Sequence, residues 1–237
     1  MSEDAPSHPD RNRRKLYGRR KGPKPSARQT GLRESLLPEL SLNLKSGADP
    51  RFYFRHPVQD VWLEIGFGAG EHLYWQAQNN PGVGLIGAEP YEMGTAKLLT
   101  KLAEAPLANI RLYEGDGREI IEALPDASLG RFFLLFPDPW PKTRHHKRRF
   151  LQMEMLDQLA RVLKPGAELR FATDDKSYLP YALERLMAHP AFAWTATGLA
   201  DWKTRPAGWP PTRYETKAIK GPPTFLRFTR RDKMAGC

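Results

Sequence analysis

Four acidic residues recur along the middle of the chain, Glu64, Glu89, Asp116 and Asp138, at successive separations of 22 to 27 residues. Each follows or ends a short apolar run of the kind that forms a buried strand. Ligands of open parallel sheets bind outside the carboxyl ends of the strands, so these carboxylates are expected to meet at one crevice. A single acid at a strand end is more often only solvated, but four in register favour a binding site.

The first acid precedes a turn that contains three glycines, Gly66, Gly68 and Gly70, and a helix-like stretch follows from residue 71 to 78. Glycine lets the backbone turn sharply and approach a ligand closely. A dinucleotide-binding turn reads G-x-G-x-x-G, whereas the third glycine comes one residue early here. Because carboxylates repel phosphate and accept hydrogen bonds from hydroxyls, the pattern favours S-adenosylmethionine, which carries a sulfonium, an ammonium group and a ribose.

The fourth acid lies in the proline-rich sequence FPDPWPK at 136–142. Three prolines restrict φ and remove backbone donors, which stiffens the loop around Asp138 and Trp140. A stiff loop with a carboxylate and an aromatic ring is suited to gripping a flat base. The sequence therefore predicts a base-modifying site, with Asp138 as the residue that orients the base.

A run of four cations and two histidines follows this loop directly. We expect it to contact RNA phosphates, since backbone contacts dominate nucleic-acid interfaces. The alternatives are a solvated turn or a metal site, but adjacent histidines without spaced partners make a poor ligand set, so no metal is predicted. The predicted RNA-binding residues are Arg144, His145, His146, Lys147, Arg148 and Arg149.

The elements that must position these residues alternate β-branched or aromatic runs with helical stretches. Strands are expected at 61–65, 84–88, 110–113, 132–136, 168–172, 194–197 and 225–228, and the clearest helix at 150–163. Because no clear helix separates the last two strands, we expect them to pair antiparallel at one edge. The fold class is α/β, a Rossmann-like, mostly parallel seven-stranded sheet with helices on both faces.

The chain divides into a basic extension at 1–50, expected to be flexible, and a folded domain at 51–237. The extension is either a solvated linker or an arm that pairs phosphates, and residues 32–44 within it could form a short helix or a docked segment. With 37 Lys and Arg against 27 Asp and Glu, the formal charge of +10 favours a nucleic-acid partner.

The only cysteine is Cys237, so no disulfide within the chain is expected, and a reducing compartment is the natural interpretation. No membrane span or signal peptide is evident. Acidic residues at Glu3, Asp4 and Asp10 argue against a transit peptide, and a cytoplasmic location is expected.

Four segments carry a family resemblance: LEIGFGAGEH at 63–72, FPDPWPKTRHHKRR at 136–149, RVLKPGAELRFATDD at 161–175 and TRYETKA at 212–218. Together they resemble the bacterial tRNA (guanine-N7)-methyltransferases. The second segment is highly specific, whereas the first and third alone indicate a class I methyltransferase. The family resemblance implies methylation of guanine 46 in the variable loop of tRNA, with S-adenosylmethionine as donor.

The resemblance also implies roles for individual residues. Glu64, Glu89, Asp116 and Asp138 would line the donor pocket beside the three glycines. The residues that would contact the substrate guanosine are Lys142, Asp174, Thr212, Arg213, Tyr214 and Glu215.

Three rival interpretations remain at this point. They are a methyltransferase that acts on an exocyclic amine or another RNA atom, a dehydrogenase, and a noncatalytic RNA-binding module on the same fold. The glycine spacing disfavours the dehydrogenase and the intact row of acids disfavours the noncatalytic module. The sequence leaves open whether the protein is a monomer or a homodimer.

Overall fold

The computed structural model describes Tyr17 and residues 22–207, 209–217 and 221–232, apart from the side chains of Tyr214 and Lys217. The strands in this part of the chain are β1 (Asp60–Ile65), β2 (Val83–Ala88), β3 (Ile110–Tyr113), β4 (Leu129–Leu135), β5 (Leu163–Thr173), β6 (Phe192–Trp194) and β7 (Thr224–Arg230). The α-helices are α1 (Ala27–Ser35), α2 (Leu37–Leu40), α3 (Glu71–Asn79), α4 (Glu92–Glu104), α5 (Gly117–Ala123), α6 (Met153–Val162), α7 (Tyr178–Ala188), α8 (Ala200–Lys203) and α9 (Arg213–Lys217). Short 3-10 helices form at Pro50–Tyr53 and Thr143–Arg148.

The strands form one sheet in the order β3-β2-β1-β4-β5-β7-β6. Strands β1 to β5 are parallel, while β7 lies antiparallel between β5 and β6. The predicted fold class and the antiparallel pairing of the last two strands are thus confirmed. The chain runs outward from β1 in one direction and from β4 in the other, so the topological switch point lies between these two strands.

Both faces of the sheet are covered. In β1, Val61, Leu63 and Ile65 join a core with residues of α5, α6 and α7, whereas Trp62 joins a second core with residues of α3 and α4. A strand with apolar residues on both faces is typical of a parallel sheet between two layers of helices. No helix in the described ranges has both the length and the apolar character needed to cross a membrane.

The part of the predicted extension from α1 onward packs on the rest of the domain, which agrees with the docked segment expected at 32–44. Leu37, Leu40 and Leu42 are at most 9 % exposed and belong to the two cores. Ser41 forms an isolated parallel bridge with Leu112, and the N–H of Leu42 donates to the Leu112 carbonyl at 2.8 Å. Apolar burial outweighs the polar composition of this segment, and the domain begins before residue 50.

The sequence Lys164-Pro165-Gly166, expected to follow a helix as a stop, lies inside β5. Helix α6 ends at Val162, and Leu163 already pairs with Leu129. The register shifts between Leu129 and Arg131, and Gly166 has a φ of +78°. The helix therefore ends where expected, but the glycine accommodates an irregularity of the strand instead of a loop.

Candidate active site

A cavity of about 320 Å³ lies at the carboxyl ends of the strands around the switch point. Strands β1 and β4 contribute Ile65 and Leu134, and the segments that follow β2, β3 and β4 supply Glu89, Asp116 and Asp138. Three of the four predicted acids therefore share one cavity. This is the position at which ligands bind in open α/β sheets.

The glycine turn after β1 holds the acid that follows β2. Gly66, Gly68 and Gly70 have φ values of +75°, +59° and +77°, in the left-handed region that glycine tolerates. The N–H of Gly68 donates to Glu89 Oε2 at 2.8 Å, and the N–H of Tyr91 donates to Oε1 at 2.9 Å. Both oxygens of this buried carboxylate are thereby fixed by backbone donors.

The pKa of Glu89 reflects its burial and the charges of the neighbouring acids. Burial raises the pKa of its carboxyl above the ordinary value of 4.5, the two backbone donors oppose this, and the nearby charges of Asp138 and Glu64 raise the pKa further. A bound cation would offset the repulsion that these like charges exert on Glu89. The cavity therefore favours a positively charged ligand.

Glu64 is placed differently from the other three acids. Its carboxylate is buried against His72, with 2.7 Å between Oε2 and Nδ1, and it is not among the residues that line the cavity. The second ring nitrogen of His72 lies 2.9 Å from Gln76 Nε2. The ring of His72 also packs edge-on against Trp209, with centroids 4.5 Å apart. The sequence prediction missed His72, whose only signal was its position on the helix after the glycine turn.

Asp116 lies on the cavity wall and caps α5 by accepting a hydrogen bond from the N–H of Arg118. The guanidinium of Arg118 also pairs with this carboxylate, with Nε 2.8 Å from Oδ1 and Nη2 2.5 Å from Oδ2. Arg118 itself lines the cavity. The sequence analysis missed this partner, although an aspartate two residues before an arginine at a helix start is the pattern that permits such a pair.

The proline-rich loop after β4 carries backbone strain at two positions. Phe136 and Trp140 have φ values of +51° and +44°, which are costly for residues other than glycine. The loop is held from both sides: the N–H of Phe136 donates to the Ala172 carbonyl at 2.8 Å, and Arg149 Nε donates to the Pro139 carbonyl at 2.7 Å. Asp138, between these anchors, is exposed at the cavity.

The basic run forms the 3-10 helix Thr143–Arg148 and divides between solvent and protein. Arg144 and Lys147 are exposed, as is Lys142 before them. His145 packs edge-on against Trp140, with ring centroids 6.0 Å apart, and the guanidinium of Arg148 lies 5.0 Å from the centroid of the same ring. Only part of the predicted RNA-binding run therefore faces solvent.

Arg149, which was predicted to contact RNA, is only 2 % exposed and bonds to the protein itself. Besides Pro139, it donates through Nη2 to Ser177 Oγ at 2.9 Å and through Nη1 to the Ser177 carbonyl at 3.3 Å. Its guanidinium also lies over the rings of Tyr178 and Tyr181, 4.9 and 4.5 Å from their centroids. Arg149 thus joins the proline-rich loop to the start of α7.

His146 also turns inward. Its ring packs edge-on against Tyr181 at a centroid distance of 5.7 Å, and its carbonyl accepts a hydrogen bond from Gln152 Nε2 at 2.8 Å. The structure thus gives His146 a packing role on α7 in place of an exposed position for RNA.

The remaining predicted substrate residues lie outside the wall of the cavity. Asp174 follows β5 and is partly exposed. Its backbone carbonyl lies near Gly221, where a Cβ added to the glycine would be 3.8 Å from the carbonyl oxygen. Thr212 is buried, and its Oγ1 accepts a hydrogen bond from the N–H of Glu215 at 3.2 Å. Glu215 in turn accepts a hydrogen bond from Arg205 Nη1 at 2.8 Å.

Arg213 is exposed, and the side chain of Tyr214 lies outside the described part of the chain. Next to Asp174, the buried Asp175 accepts hydrogen bonds from the N–H groups of Ser177 and Tyr178, which fixes the turn into α7. Across the described ranges, the structure brings together no three His, Cys, Asp or Glu side chains that could hold a metal ion.

Comparisons with known proteins agree with this site. Residues 58–225 match a family model described as a putative methyltransferase. A tRNA (guanine-N(7)-)-methyltransferase of Rhodospirillum rubrum is 48 % identical over 228 residues, covering 93 % of this chain and 89 % of that protein. A protein of the same name from Brucella anthropi is 46 % identical, covering 98 % of this chain and all of that protein.

Among solved structures, the 16S rRNA methyltransferase KamB superposes with a TM-score of 0.54 at 17 % identity. The match covers 81 % of this chain and 98 % of that one. At this level of identity the likeness supports the fold and no particular substrate.

Proposed function

Because this chain belongs to the family of tRNA (guanine-N(7)-)-methyltransferases, we propose that it transfers a methyl group from S-adenosyl-L-methionine to N7 of guanine 46 in the tRNA variable loop. The observation that carries the proposal is the cavity at the switch point, where Glu89, Asp116 and Asp138 converge beside a turn of left-handed glycines. The fold supplies the position and the acids supply the ligand chemistry.

The residues of the cavity fit this methyl donor. A volume of about 320 Å³ falls in the range of small-molecule sites. Carboxylates accept hydrogen bonds from ribose hydroxyls and offset positive charge, whereas they would repel a pyrophosphate. The residues proposed to hold the donor are Gly66, Glu89, Asp116 and Asp138 on the cavity wall. Glu64, Gly68 and Gly70, which lie in the adjoining strand and glycine turn outside that wall, are proposed to complete the set. When bound, S-adenosylmethionine supplies an electrophilic methyl group.

Transfer to N7 requires orientation more than proton transfer. Guanine N7 carries an exposed lone pair and no proton, so no general base is needed. Oriented binding can lower a barrier by about 7 to 11 kcal/mol. We assign this role to Asp138, which would accept hydrogen bonds from the Watson–Crick edge of guanine on a loop fixed by Arg149 and by the pairing of Phe136 with Ala172.

The RNA would reach the cavity over its exposed side. Lys142, Arg144 and Lys147 are solvent-exposed next to Trp140 and are proposed to meet phosphates. Asp174 and the segment from Thr212 to Glu215 are proposed to contact the guanosine. Their positions outside the cavity wall are consistent with contacts to the RNA rather than to the donor.

Transfer of labelled methyl from S-adenosylmethionine to unmodified tRNA tests the proposal, followed by borohydride and aniline cleavage at 7-methylguanosine. Cleavage at the variable-loop guanine is the expected result. Labelled tRNA that is not cleaved would indicate that the methyl group is transferred to another atom. Absence of label from tRNA that binds would instead indicate a noncatalytic RNA-binding module.

For Asp138→Asn we expect tRNA turnover to fall about 100-fold, because loss of the charged acceptor misplaces the base. Single-turnover kinetics at saturating donor measures this step apart from donor binding. Glu184→Gln removes an exposed carboxylate on α7 and serves as the control. Full turnover by Asp138→Asn would show that Asp138 is not the residue that orients the base.

A further inference from the structure

The described residues before α1 include one that lines the cavity, Tyr17. The guanidinium of Arg148 lies 4.2 Å from the centroid of the Tyr17 ring and 5.0 Å from that of Trp140. The two rings also meet edge-on at a centroid distance of 6.0 Å. Tyr17, Arg148 and Trp140 form a cluster, which we call the aromatic wall.

The interior of the aromatic wall is closely packed. Arg148 Nε is buried and has no hydrogen-bond acceptor within the described residues. Its charge is instead placed over two aromatic faces, an arrangement that stabilises guanidinium groups away from water. Tyr17 therefore completes the environment of Arg148, and the wall depends on all three side chains.

A second contact between this segment and a cavity residue lies at Gly22. A Cβ added to Gly22 would lie 2.3 Å from Tyr91 Oη and 2.9 Å from two ring carbons, so the backbone of Gly22 packs directly on the end of this side chain. Tyr91 lines the same cavity, and its N–H holds Glu89. Tyr17 and Gly22, five positions apart, thus contact cavity residues that follow two different strands, Trp140 after β4 and Tyr91 after β2.

Helix α1, which begins five residues after Gly22, is attached to the domain by ion pairs. A capping box between Ser26 and Gln29 begins the helix. Arg33 then donates to both oxygens of Glu114, at 2.6 and 3.0 Å, and Arg28 donates to Glu104 at 3.0 Å. Glu104 ends α4 and Glu114 follows β3, so α1 is attached to the elements beside the cavity.

We propose that Tyr17 is a binding residue for the methyl donor, with its ring closing the outer side of the cavity. This inference rests on the proposed function. An aromatic face attracts a cation and stacks on a flat base, and the donor carries both a sulfonium and an adenine ring. A residue of the extension, which the sequence predicted to be either a solvated linker or a phosphate-pairing arm, thereby forms part of the small-molecule site.

The test measures donor binding by the full-length protein without RNA, using titration calorimetry with S-adenosylmethionine. For Tyr17→Ala we expect the Kd to rise about ten-fold, equivalent to about 1.4 kcal/mol, a typical loss for a stacked aromatic ring. Tyr17→Phe keeps the ring and is expected to bind within about two-fold of wild type. Phe52→Ala removes an aromatic ring that is 83 % exposed outside the cavity and should leave the Kd unchanged.

Each outcome decides the proposal. A tenfold loss confined to Tyr17→Ala, with an unchanged melting temperature, supports it. Wild-type affinity in Tyr17→Ala overturns it while leaving the methyltransferase function intact. An effect of Tyr17→Ala on tRNA binding alone, in a mobility-shift titration, overturns it in favour of an RNA contact. Absence of donor binding by the wild-type protein overturns the inference and the proposed function together.

Discussion

Arg148 and Arg149 are neighbours in a run of cations, and both guanidinium groups pack against aromatic rings of the protein. Arg148 lies over Tyr17 and Trp140, and Arg149 over Tyr178 and Tyr181. Arginine suits these positions because its planar group is weakly hydrated and stacks on rings. At the scale of single residues, charge alone therefore does not identify an RNA contact.

Arg149→Ala should lower the free energy of unfolding by about 3 kcal/mol, since it leaves the carbonyls of Pro139 and Ser177 without this donor and removes a buried side chain. Turnover should fall as well, because the loop that carries Asp138 loses an anchor. Urea denaturation measures the first effect. Lys147→Ala, at the exposed end of the same run, is expected to change stability by less than about 0.5 kcal/mol. Equal stability of the two variants would contradict this role.

Glu89 gives donor binding a pH dependence. Its pKa is raised, chiefly by burial, so its ionised form destabilises the fold, and stability falls as pH rises from 4.5 through the raised pKa. The affinity for the donor should show the opposite pH dependence, because only the ionised carboxylate offsets a cation. We expect donor affinity to increase with pH through this range in calorimetry. In Glu89→Gln the increase of donor affinity with pH should be largely absent. An unaltered pH profile in this variant would show that another group causes the increase.

At the scale of elements, the 3-10 geometry of Thr143–Arg148 explains how the basic run is divided. With three residues per turn, side chains three positions apart share a direction. Arg144 and Lys147 are both exposed, while His145 and Arg148 both pack on Trp140. The sequence revealed the composition of the run but not its helix type, so it could not show which cations face solvent.

The salt dependence of tRNA binding should reflect this division. In a plot of the logarithm of the binding constant against that of the salt concentration, each duplex phosphate contact contributes about −0.9 to the slope. Four cations of the run would therefore contribute about −3.6, and two about −1.8. The double variant Arg144→Ala with Lys147→Ala should lose about 1.8 of the slope, measured by filter binding at several salt concentrations. Arg55→Ala, an exposed cation near the start of β1, serves as the control. An unchanged slope in the double variant would refute phosphate binding by this turn.

At the scale of the whole molecule, the segment before residue 50 belongs to the domain from α1 onward. Leu37 and Leu40 belong to the core shared with α3 and α4, and Leu42 belongs to the other. Arg33 of α1 also pairs with Glu114, which adjoins Gly115 on the cavity wall. Folding of this segment and formation of the site are therefore coupled.

Leu40→Ala is expected to lower the free energy of unfolding by about 2 to 5 kcal/mol, the range for a buried leucine. The loss should appear in a single cooperative urea transition followed by tryptophan fluorescence. Leu199→Ala, at a leucine that is 60 % exposed, provides the comparison. If Leu40→Ala changed the free energy of unfolding by less than about 0.5 kcal/mol, the result would instead indicate a folded domain that begins near residue 50.

The sequence by itself determined the strands, their mostly parallel arrangement and the acids at their ends. These features depend on local periodicity and on the rule that parallel strands share a carboxyl edge, so Glu89, Asp116 and Asp138 could be brought together without coordinates. Only the tertiary structure decided which charges are buried. Arg149 and Tyr17 owe their positions to partners that are 28 and 123 residues away, at Ser177 and Trp140. Burial depends on how surfaces pack in three dimensions, and no local pattern in the chain specifies it.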